Sequence, residues 1–352
     1  MPELPEVQTV VSDLNEKIIG DTITDFSSAW PKAIKGKTLT VFKKEIVGRK
    51  ILGVRRLGKN IFVDLSGGKT LYLHLKMTGH LLIKSQIKDE FRPEHSGSNF
   101  DSNSNLEFKK LEIDSKFKIK NSKLKSHDYF ADQVNQYIRH RFFLRTDTKL
   151  RNIDESTNKK SKSVKNFVDS NTFVGSNRYD KVMEFSDMRK FAKIVLGDTQ
   201  DIANLPEIKS LGIDAMDPRL DFKKFDALLT EKKKMAIGIW LMDQHLLAGI
   251  GNIYRSEILF AAGVLPERKN ESLTPVERKK IWQAMRSILK KAIRMRGTTD
   301  SDYRDTSGAP GGFQNVLQVY GKTGEKCQKC ATIVARSKMG QRSVFYCPGC
   351  QK

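Results

Sequence analysis

The chain has 352 residues, of which 63 are Lys or Arg and 41 are Asp or Glu. A formal net charge of +22 favours a polyanionic partner, above all nucleic acid, because basic side chains neutralise phosphates and release counterions. No apolar run reaches the roughly 18–20 residues that span a bilayer, and the acidic start of the chain lacks an apolar secretory stretch. We therefore expect a cytoplasmic protein of two or more domains, with reduced thiols and no membrane partner.

In chain order, the sequence predicts first a helix and then short strands. Pro5 can start a helix, apolar residues follow at helical spacing, and Gly20 ends the run. Two polar stretches, at about 84–136 and 147–178, interrupt the later strand pattern, and we interpret them as insertions, the first as a long, partly disordered loop. Strands are predicted at residues 51–54, 61–65 and 71–75, with a turn at 66–68, and strand-like sequence returns over 137–144 and 182–196.

The second half of the chain predicts helices. Thr274 and Glu277 form a capping box for a helix over residues 275–296. Gly249 and Gly251 precede another helical run, over 252–262, and the segment 235–243 before them is also helix-like. The sequence therefore predicts a helix–two-turns–helix unit, in which the glycine-rich turn lets backbone N–H groups approach an anion.

All four cysteines of the chain lie in its last 26 residues, in the pattern C-x2-C-x16-C-x2-C. Two CxxC pairs at this spacing predict a tetrahedral zinc site, and because four thiolates close the coordination sphere, the zinc is structural. Basic residues between the pairs, Arg342 among them, predict a hairpin that presents cations to a phosphate. The expected ligands are Cys327, Cys330, Cys347 and Cys350.

These elements predict an α+β multidomain protein. We expect a β-rich N-terminal domain over residues 1–200, which includes both polar insertions. A helical helix–two-turns–helix domain is expected over 201–315, and a zinc-finger β-hairpin over 316–352.

The first seven residues, MPELPEV, suggest a nucleophile. Methionine before a small residue is normally removed, which leaves the secondary amine of Pro2 at the terminus, and α-amino groups titrate at about pH 8. Such an amine can attack an electrophilic sugar carbon and form a Schiff base, while Glu3 beside it exchanges protons. The plain alternative is that Pro2 and Glu3 only begin the first helix.

Several motifs, taken in order, resemble the formamidopyrimidine-DNA glycosylase family. They are MPELPEV, RRLGK at 55–59, HLKMTG at 74–79, DMRKF at 187–191, GIGNIY at 249–254 and the zinc tail, and the resemblance covers about residues 1–83, 137–146 and 181–352. It implies that the N-terminal domain is an N-terminal helix with a β-sandwich. It also implies a base-excision repair enzyme that removes oxidised purines, such as 8-oxoguanine and formamidopyrimidines, from duplex DNA. It further implies strand cleavage by β- and δ-elimination through a Schiff base on the terminal proline.

The resemblance also implies a role for individual residues of the catalytic centre. Pro2 would be the nucleophile and Glu3 the acid and base, with Glu6 supporting both. Lys59 would be a further catalytic-site lysine, and one structural Zn²⁺ would be the only bound ion. The partner would be damaged double-stranded DNA, and we expect a monomeric, bacterial-type enzyme associated with the nucleoid.

A second set of residues would contact the DNA. By resemblance, His74, Asn252 and Arg342 hold phosphates around the lesion. Three others would enter the duplex when the damaged nucleotide is extruded, because they supply an apolar wedge, a planar cation and an aromatic ring. These are Met77, Arg189 and Phe191, while the loop 308–313 would cover the extruded base.

Two departures from the family pattern bear on the substrate. Gly238 stands where relatives commonly carry a lysine that helps with the oxidised purine, and Lys190 replaces a usual arginine. Two rivals remain open: an endonuclease VIII-like enzyme for oxidised pyrimidines, and a non-catalytic, zinc-stabilised DNA-binding protein.

Overall fold

The computed structural model describes residues 2–85, 128–146 and 179–352, so most of the two polar stretches lies outside the described residues. The helices are α1 (Leu4–Ile18), α2 (Leu39–Ile46), α3 (Thr199–Ala203), α4 (Pro206–Lys209), α5 (Phe222–Glu231), α6 (Ile237–Trp240), α7 (Asn252–Ala262) and α8 (Pro275–Arg294). The strands are β1 (Thr22–Ser28), β2 (Ile51–Leu57), β3 (Asn60–Leu65), β4 (Lys69–His74), β5 (Gly79–Ser85), β6 (Ile138–Arg145), β7 (Lys181–Asp187), β8 (Lys193–Asp198), β9 (Ile213–Asp214), β10 (Leu247–Ala248), β11 (Ala335–Met339) and β12 (Arg342–Tyr346).

Helix α1 begins as the sequence predicted. Glu3 is its N-cap residue, and the Glu6 carboxylate accepts a hydrogen bond of 2.7 Å from the Glu3 backbone N–H, which satisfies a donor that the helix leaves unpaired. The helix ends before Gly20, whose φ of +84° favours glycine. Its apolar positions are buried, so α1 lies inside the molecule.

A β-sandwich forms the N-terminal part of the fold, as predicted. Two four-stranded sheets run in the orders β1-β6-β7-β5 and β2-β3-β4-β8, and neighbouring strands are antiparallel. Apolar side chains from both sheets and from α1 share one core, including Val10, Phe26, Ile61 and Phe185. Strands β6 and β8 alternate between more and less buried positions, because successive side chains point to opposite faces, whereas β3, β4, β5 and β7 are buried along most of their length.

The first polar stretch has more ordered ends than we expected. Strand β5 extends to Ser85, and residues 128–136 form two short 3₁₀ helices rather than a disordered loop. The buried Asn135 explains the difference, since its amide donates to the Tyr129 carbonyl at 2.6 Å and the Gly308 carbonyl at 3.2 Å. A contact to residue 308 cannot be read from local composition.

The helical part has its own core around α5, α7 and α8. Helix α8 begins at the predicted capping box of Thr274 and Glu277. The first helix of the helix–two-turns–helix unit, α6, is a single turn and is shorter than the nine residues expected over 235–243. Leu4 belongs to this core although it is the first residue of α1. Helix α1 therefore packs against both halves of the protein.

A buried ion pair also ties the two halves together. Both guanidinium Nη atoms of Arg56, on β2, donate to the Asp214 carboxylate on β9, and the Gly58 N–H donates to the same carboxylate at 2.8 Å. Both side chains of the pair are about nine-tenths buried. The RRLGK motif thus holds the sandwich against the helical part.

The zinc-finger hairpin consists of β11 and β12, paired in antiparallel register from Ala335–Tyr346 to Met339–Arg342. It packs against α7, and the Arg255 guanidinium of that helix donates to the Ser343 carbonyl at 3.0 Å. Among the described residues, every helix is too short or too polar to cross a bilayer.

Candidate active site

The carboxylate of Glu3 lies on the N-terminus of α7. It accepts hydrogen bonds from the backbone N–H groups of Gly251 at 2.7 Å and Ile253 at 3.0 Å. The first N–H groups of a helix have no partner within the helix and carry partial positive charge, so they stabilise an anion. The anion that the sequence predicted at this glycine-rich helix start is, in this structure, a carboxylate of the protein itself.

Glycine at position 251 is required by this contact. A Cβ atom there would lie 2.4 Å from the Glu3 carboxyl carbon. Gln244 shapes the same turn, because its side chain accepts from the Gly249 N–H at 2.9 Å and donates to the Ile250 carbonyl at 2.8 Å. The turn is therefore built to hold Glu3.

Lys59 lies beside this carboxylate. It is buried, and its Nζ donates to the Ile250 carbonyl at 2.9 Å. Burial lowers the pKa of the Lys59 ammonium, while the negative charge of Glu3 acts in the opposite direction. A lysine with a lowered pKa can exchange protons more readily than an exposed one.

Glu3 and Lys59 share one cleft with three of the predicted DNA contacts. The cleft has a volume of about 390 Å³ and is also lined by Met77, Asn252 and Arg342. Pro2 is buried directly before Glu3 in the chain. The structure thus brings together residues from positions 3 to 342 of the sequence.

Behind Glu3, the Glu6 carboxylate joins three parts of the fold. It accepts hydrogen bonds from the Glu3 N–H, from the Tyr254 hydroxyl at 2.6 Å and from the Thr298 N–H at 2.7 Å. Burial, followed by the nearby charge of Glu3, raises the pKa of Glu6 to about 7. Glu6 therefore titrates near neutral pH, and its carboxylate binds the backbone N–H of the residue that follows the predicted nucleophile.

His74 lies on the wall of a second cavity, of about 490 Å³, which Lys59 also lines together with Lys76 and Lys193. Burial and these cations lower the pKa of His74 to about 3, so its ring is neutral at physiological pH. Nδ1 accepts a hydrogen bond of 2.9 Å from the Lys76 N–H, which assigns the ring proton to Nε2. The neutral ring of His74 can therefore donate a hydrogen bond from Nε2 to a phosphate oxygen that the surrounding lysines attract.

Asn252 and Arg342 approach the cleft from α7 and β12. The Asn252 Oδ1 accepts a hydrogen bond from Arg255, which directs the amide N–H groups to other acceptors, the hydroxyl of the cleft residue Tyr320 among them. Arg342 is exposed at the first position of β12. Both side chains can therefore contact an anion that enters the cleft.

The predicted wedge residues lie on the surface. Met77 is 41% exposed and Phe191 is 58% exposed, unlike ordinary core side chains. Arg189 contacts Met77, with 3.5 Å between Nη1 and the sulfur. The buried Asp187 joins the segment that carries Met77 to the segment that carries Arg189 and Phe191. Its carboxylate accepts hydrogen bonds from the Thr78 hydroxyl at 2.6 Å and from the Ala192 N–H at 2.8 Å.

The four cysteine sulfurs lie within 4.8 Å of one another, and adjacent pairs are 3.3 to 3.8 Å apart. A zinc tetrahedron with Zn–S bonds of about 2.3 Å has edges of about 3.8 Å, so the sulfurs fit the ion. Gln351 fixes the second knuckle, because its side chain accepts from the Cys347 N–H at 2.8 Å and donates to the Val264 carbonyl at 2.7 Å. The protein has one structural zinc site.

Gly238, the departure noted above, is buried in α6. A Cβ atom at this position would lie 2.7 Å from the Met339 sulfur and 2.9 Å from the Pro266 carbonyl oxygen. A lysine at 238 would therefore require Met339, on the zinc hairpin, to move. The Gly238 carbonyl accepts a hydrogen bond from the Arg255 guanidinium.

Sequence reasoning did not identify Arg255, Gln244 or Tyr254 as site residues. Arg255 offered a signal, since it stands in a helical run that is apolar on nearly every side, where an arginine needs buried acceptors. Tyr254 offered none, because its partners Glu6 and Thr298 lie on distant segments. Gln244 binds within its own turn, but a single glutamine there does not indicate those bonds.

Comparison with known proteins matches all three parts of the fold. Family models of the formamidopyrimidine-DNA glycosylase N-terminal domain, of its H2TH domain and of a zinc finger found in FPG and IleRS match residues 1–112, 211–304 and 324–352. A formamidopyrimidine-DNA glycosylase of Pelotomaculum thermopropionicum is 31% identical over 352 residues, covering 100% of this chain and 99% of the relative. That of Carboxydothermus hydrogenoformans is 31% identical over 355 residues, covering 100% of both.

Solved structures agree with these matches. A Lactococcus lactis FPG mutant in complex with DNA that contains Fapy-dG has a TM-score of 0.71 and 25% identity, with 100% of both chains covered. The Lactococcus lactis Fpg bound to DNA with an abasic site has a TM-score of 0.70 and 24% identity, with 99% of both chains covered, which shows the shared fold. Fold, cleft and zinc site together define a DNA glycosylase of base-excision repair. The chain belongs to the formamidopyrimidine-DNA glycosylase family.

Proposed function

We propose that this glycosylase removes oxidised purines from duplex DNA and nicks the strand through a Schiff base on Pro2. The observation that carries the proposal is the position of the Glu3 carboxylate, which the N-terminus of α7 fixes in one cleft with Lys59, Asn252 and Arg342. Relatives over the full length are formamidopyrimidine-DNA glycosylases, and one structural neighbour binds DNA that contains Fapy-dG.

In the proposed reaction, the unprotonated amine of Pro2 attacks C1′ of the lesion sugar and the bond from C1′ to the base breaks. Glu3 donates and accepts protons as the ring opens, and Lys59 lies beside it with a lowered pKa. The Schiff base then permits β- and δ-elimination. Water then hydrolyses the Schiff base, so the products are the released base, the sugar fragment as an unsaturated aldehyde, a one-nucleotide gap with phosphate ends and regenerated enzyme.

DNA contacts are assigned by position. Asn252 and Arg342 hold phosphates in the cleft and His74 holds one in the neighbouring cavity, while Arg189 and the exposed Met77 and Phe191 enter the duplex in place of the extruded nucleotide. We propose that the enzyme acts as a monomer. Its relatives are bacterial, and we place it in the bacterial cytoplasm, associated with the nucleoid.

We also propose domain boundaries. Residues 1–200 form the sandwich domain, 201–315 the helix–two-turns–helix domain and 316–352 the zinc finger. Support comes from the two separate apolar cores and from the compact cysteine cluster.

A nicking assay over a panel of lesion duplexes tests the proposal. We expect cleavage of duplexes with 8-oxoguanine opposite cytosine and with formamidopyrimidines, weak cleavage of thymine glycol, and no cleavage by Glu3→Gln. Preferred cleavage of thymine glycol would instead favour the endonuclease VIII-like activity. Tight binding without any nicking would favour a zinc-stabilised DNA-binding protein.

A further inference from the structure

Arg255 is an arginine in the interior of the protein. It lies on α7, and its side chain is among the largest that are fully buried, at 1% exposure. Its guanidinium donates to the Asn252 Oδ1, to the Ser343 carbonyl at 3.0 Å and to the Gly238 carbonyl at 3.3 Å. All three acceptors are neutral.

The positive charge of Arg255 is therefore incompletely compensated. Among the ion pairs of the described residues, none involves Arg255, and its buried Nε has no hydrogen-bond partner within the described part of the chain. Burial lowers the pKa of Arg255 to about 10, against the negative charge of Glu3, which raises it without an ion pair, so Arg255 stays charged near neutrality. A buried cation without a carboxylate partner is unfavourable unless another group compensates for it.

The position of Arg255 indicates which group compensates for it. One of its acceptors, Asn252, begins α7 and lines the cleft, and another, Ser343, directly follows the cleft residue Arg342. By occupying the Asn252 Oδ1, Arg255 makes the amide of Asn252 a donor toward the cleft. By holding the Ser343 carbonyl, it fixes the start of β12 and hence the origin of the Arg342 side chain.

We propose that Arg255 is a positioning residue that joins the zinc hairpin to the N-terminus of α7 and sets up one phosphate-binding site between Asn252 and Arg342. A bound DNA phosphate then compensates for its buried charge. The inference rests on the proposed function, since the phosphate belongs to the DNA substrate. A purely structural arginine would stabilise the fold without altering how Asn252 contributes to binding.

Two substitutions separate the parts of this role. Arg255→Met keeps much of the side-chain length and removes both charge and donors. Arg255→Lys keeps the charge but loses the planar fork that reaches three acceptors. Arg286→Met is a matched control, because Arg286 also donates to backbone carbonyls, those of Ala215 and Asp217, but lies on α8 and not in the cleft.

The measurement is the affinity for a duplex with a tetrahydrofuran abasic-site analogue, followed against salt concentration for the full-length, zinc-loaded protein. We expect Arg255→Met to weaken binding at least tenfold and to reduce the slope of log K against log salt by about 1, because close to one counterion is released for each neutralised phosphate. Arg255→Lys should weaken binding while keeping most of the slope. Single-turnover nicking is followed on a duplex with a natural abasic site, since the tetrahydrofuran analogue has no C1′ aldehyde for Pro2 to attack, and at saturating DNA it should fall much less than affinity.

A double-mutant cycle with Asn252→Ala distinguishes positioning from simple stability. If Arg255 acts through Asn252, the losses in affinity from Arg255→Met and Asn252→Ala do not multiply, and the double variant binds about as weakly as Arg255→Met. Independent, multiplying losses, or a salt slope for Arg255→Met equal to that of Arg286→Met, would overturn the inference. If Arg255→Met loses zinc or unfolds, the same cycle is read with Arg255→Lys.

Wild-type protein in the same assay reports on the proposed function by itself. Binding and nicking of an abasic-site duplex by the wild type, with the slope unchanged in Arg255→Met, would reject the role of Arg255 and leave the glycosylase proposal standing. Absence of nicking by the wild type would reject both.

Discussion

The carboxylate of Glu3 accepts a hydrogen bond of 2.7 Å from the backbone N–H of Gly251, a residue 248 positions further along the chain. This bond joins the start of the sandwich to the glycine-rich turn of the helix–two-turns–helix unit. It places the carboxylate of Glu3, which follows the proposed nucleophile in the chain, on the positive end of α7.

Gly251→Ala tests this relationship. The added Cβ would approach the Glu3 carboxyl carbon to 2.4 Å, so we expect Glu3 to be displaced and single-turnover nicking to fall about 100-fold or more. DNA affinity should fall less, because the proposed phosphate contacts His74 and Arg342 lie on other segments. Gly53→Ala is the control, since no atom lies within 4 Å of its new Cβ, and nicking by Gly251→Ala at the wild-type rate would contradict the proposed role of Glu3.

The nucleophile can be identified by borohydride trapping on lesion DNA. Three amines are candidates, those of Pro2, Lys59 and Lys234, and a terminal amine needs less activation than a lysine. We expect mass spectrometry to find the cross-link on Pro2. Retention of Met1, or residues added before Pro2, should abolish trapping and nicking but leave DNA binding mostly intact. A cross-link on either lysine would refute the assignment.

Glu6 makes stability depend on pH in a defined direction. Its pKa is about 7 in the folded protein and near 4.5 when unfolded, so the folded state binds more protons between these values. The stability that it contributes, about 3 kcal/mol at most, is present below pH 4.5 and is lost as pH rises through 7. As pH rises from 5 to 8, the free energy of unfolding should therefore fall less in Glu6→Gln than in the wild type.

Urea unfolding at both pH values measures this difference. The comparison must be made between wild type and variant at each pH, because buried His80 and His140 have pKa values lowered to about 4 by burial and destabilise the fold as pH falls. An equal pH dependence in wild type and Glu6→Gln would show that Glu6 does not titrate in this range.

Zinc should support DNA binding rather than chemistry. Because Cys347 closes the tetrahedron and its N–H is held by Gln351, Cys347→Ser should lose zinc and loosen the hairpin that carries Arg342. We expect bound zinc to fall below the one ion per chain of the wild type and duplex affinity to fall about tenfold. Chelation of the wild type followed by zinc addition provides the reversible control, and full binding without zinc would disprove the role.

Phe191 should matter for lesion opening and not for folding. At 58% exposure its ring contributes little to the core, so Phe191→Ala should leave the melting temperature nearly unchanged. Excision of 8-oxoguanine should fall about tenfold, because insertion of the ring offsets part of the cost of base extrusion. Met188→Ala, a change at an exposed apolar residue of the same segment, is the control, and equal losses in both variants would argue against a wedge.

Sequence analysis predicted the parts of the fold that depend on nearby residues. The capping box of Thr274 and Glu277, the glycine after α1 and the two cysteine knuckles each act within a few residues, and the structure confirms them. The family motifs added the sandwich, which strand periodicity alone leaves undefined.

What the sequence could not predict depends on contacts between distant segments. Asn135 is buried because it binds the Gly308 carbonyl, 173 residues away, and the polar composition around it indicated disorder instead. Arg255 likewise has its acceptors on three different elements. Such partners follow from tertiary packing, which composition and periodicity do not contain.

The bond between Glu3 and Gly251 also has a consequence during protein synthesis. At roughly 5–20 residues per second, a ribosome needs on the order of ten seconds or more to translate the 248 residues between them. Until then the amino terminus is outside the ribosome, but α7, which positions the Glu3 carboxylate, has not been synthesised. Arg342 is synthesised later still. A nascent chain therefore carries the proposed nucleophile before it has the helix and the arginine that the proposed reaction needs.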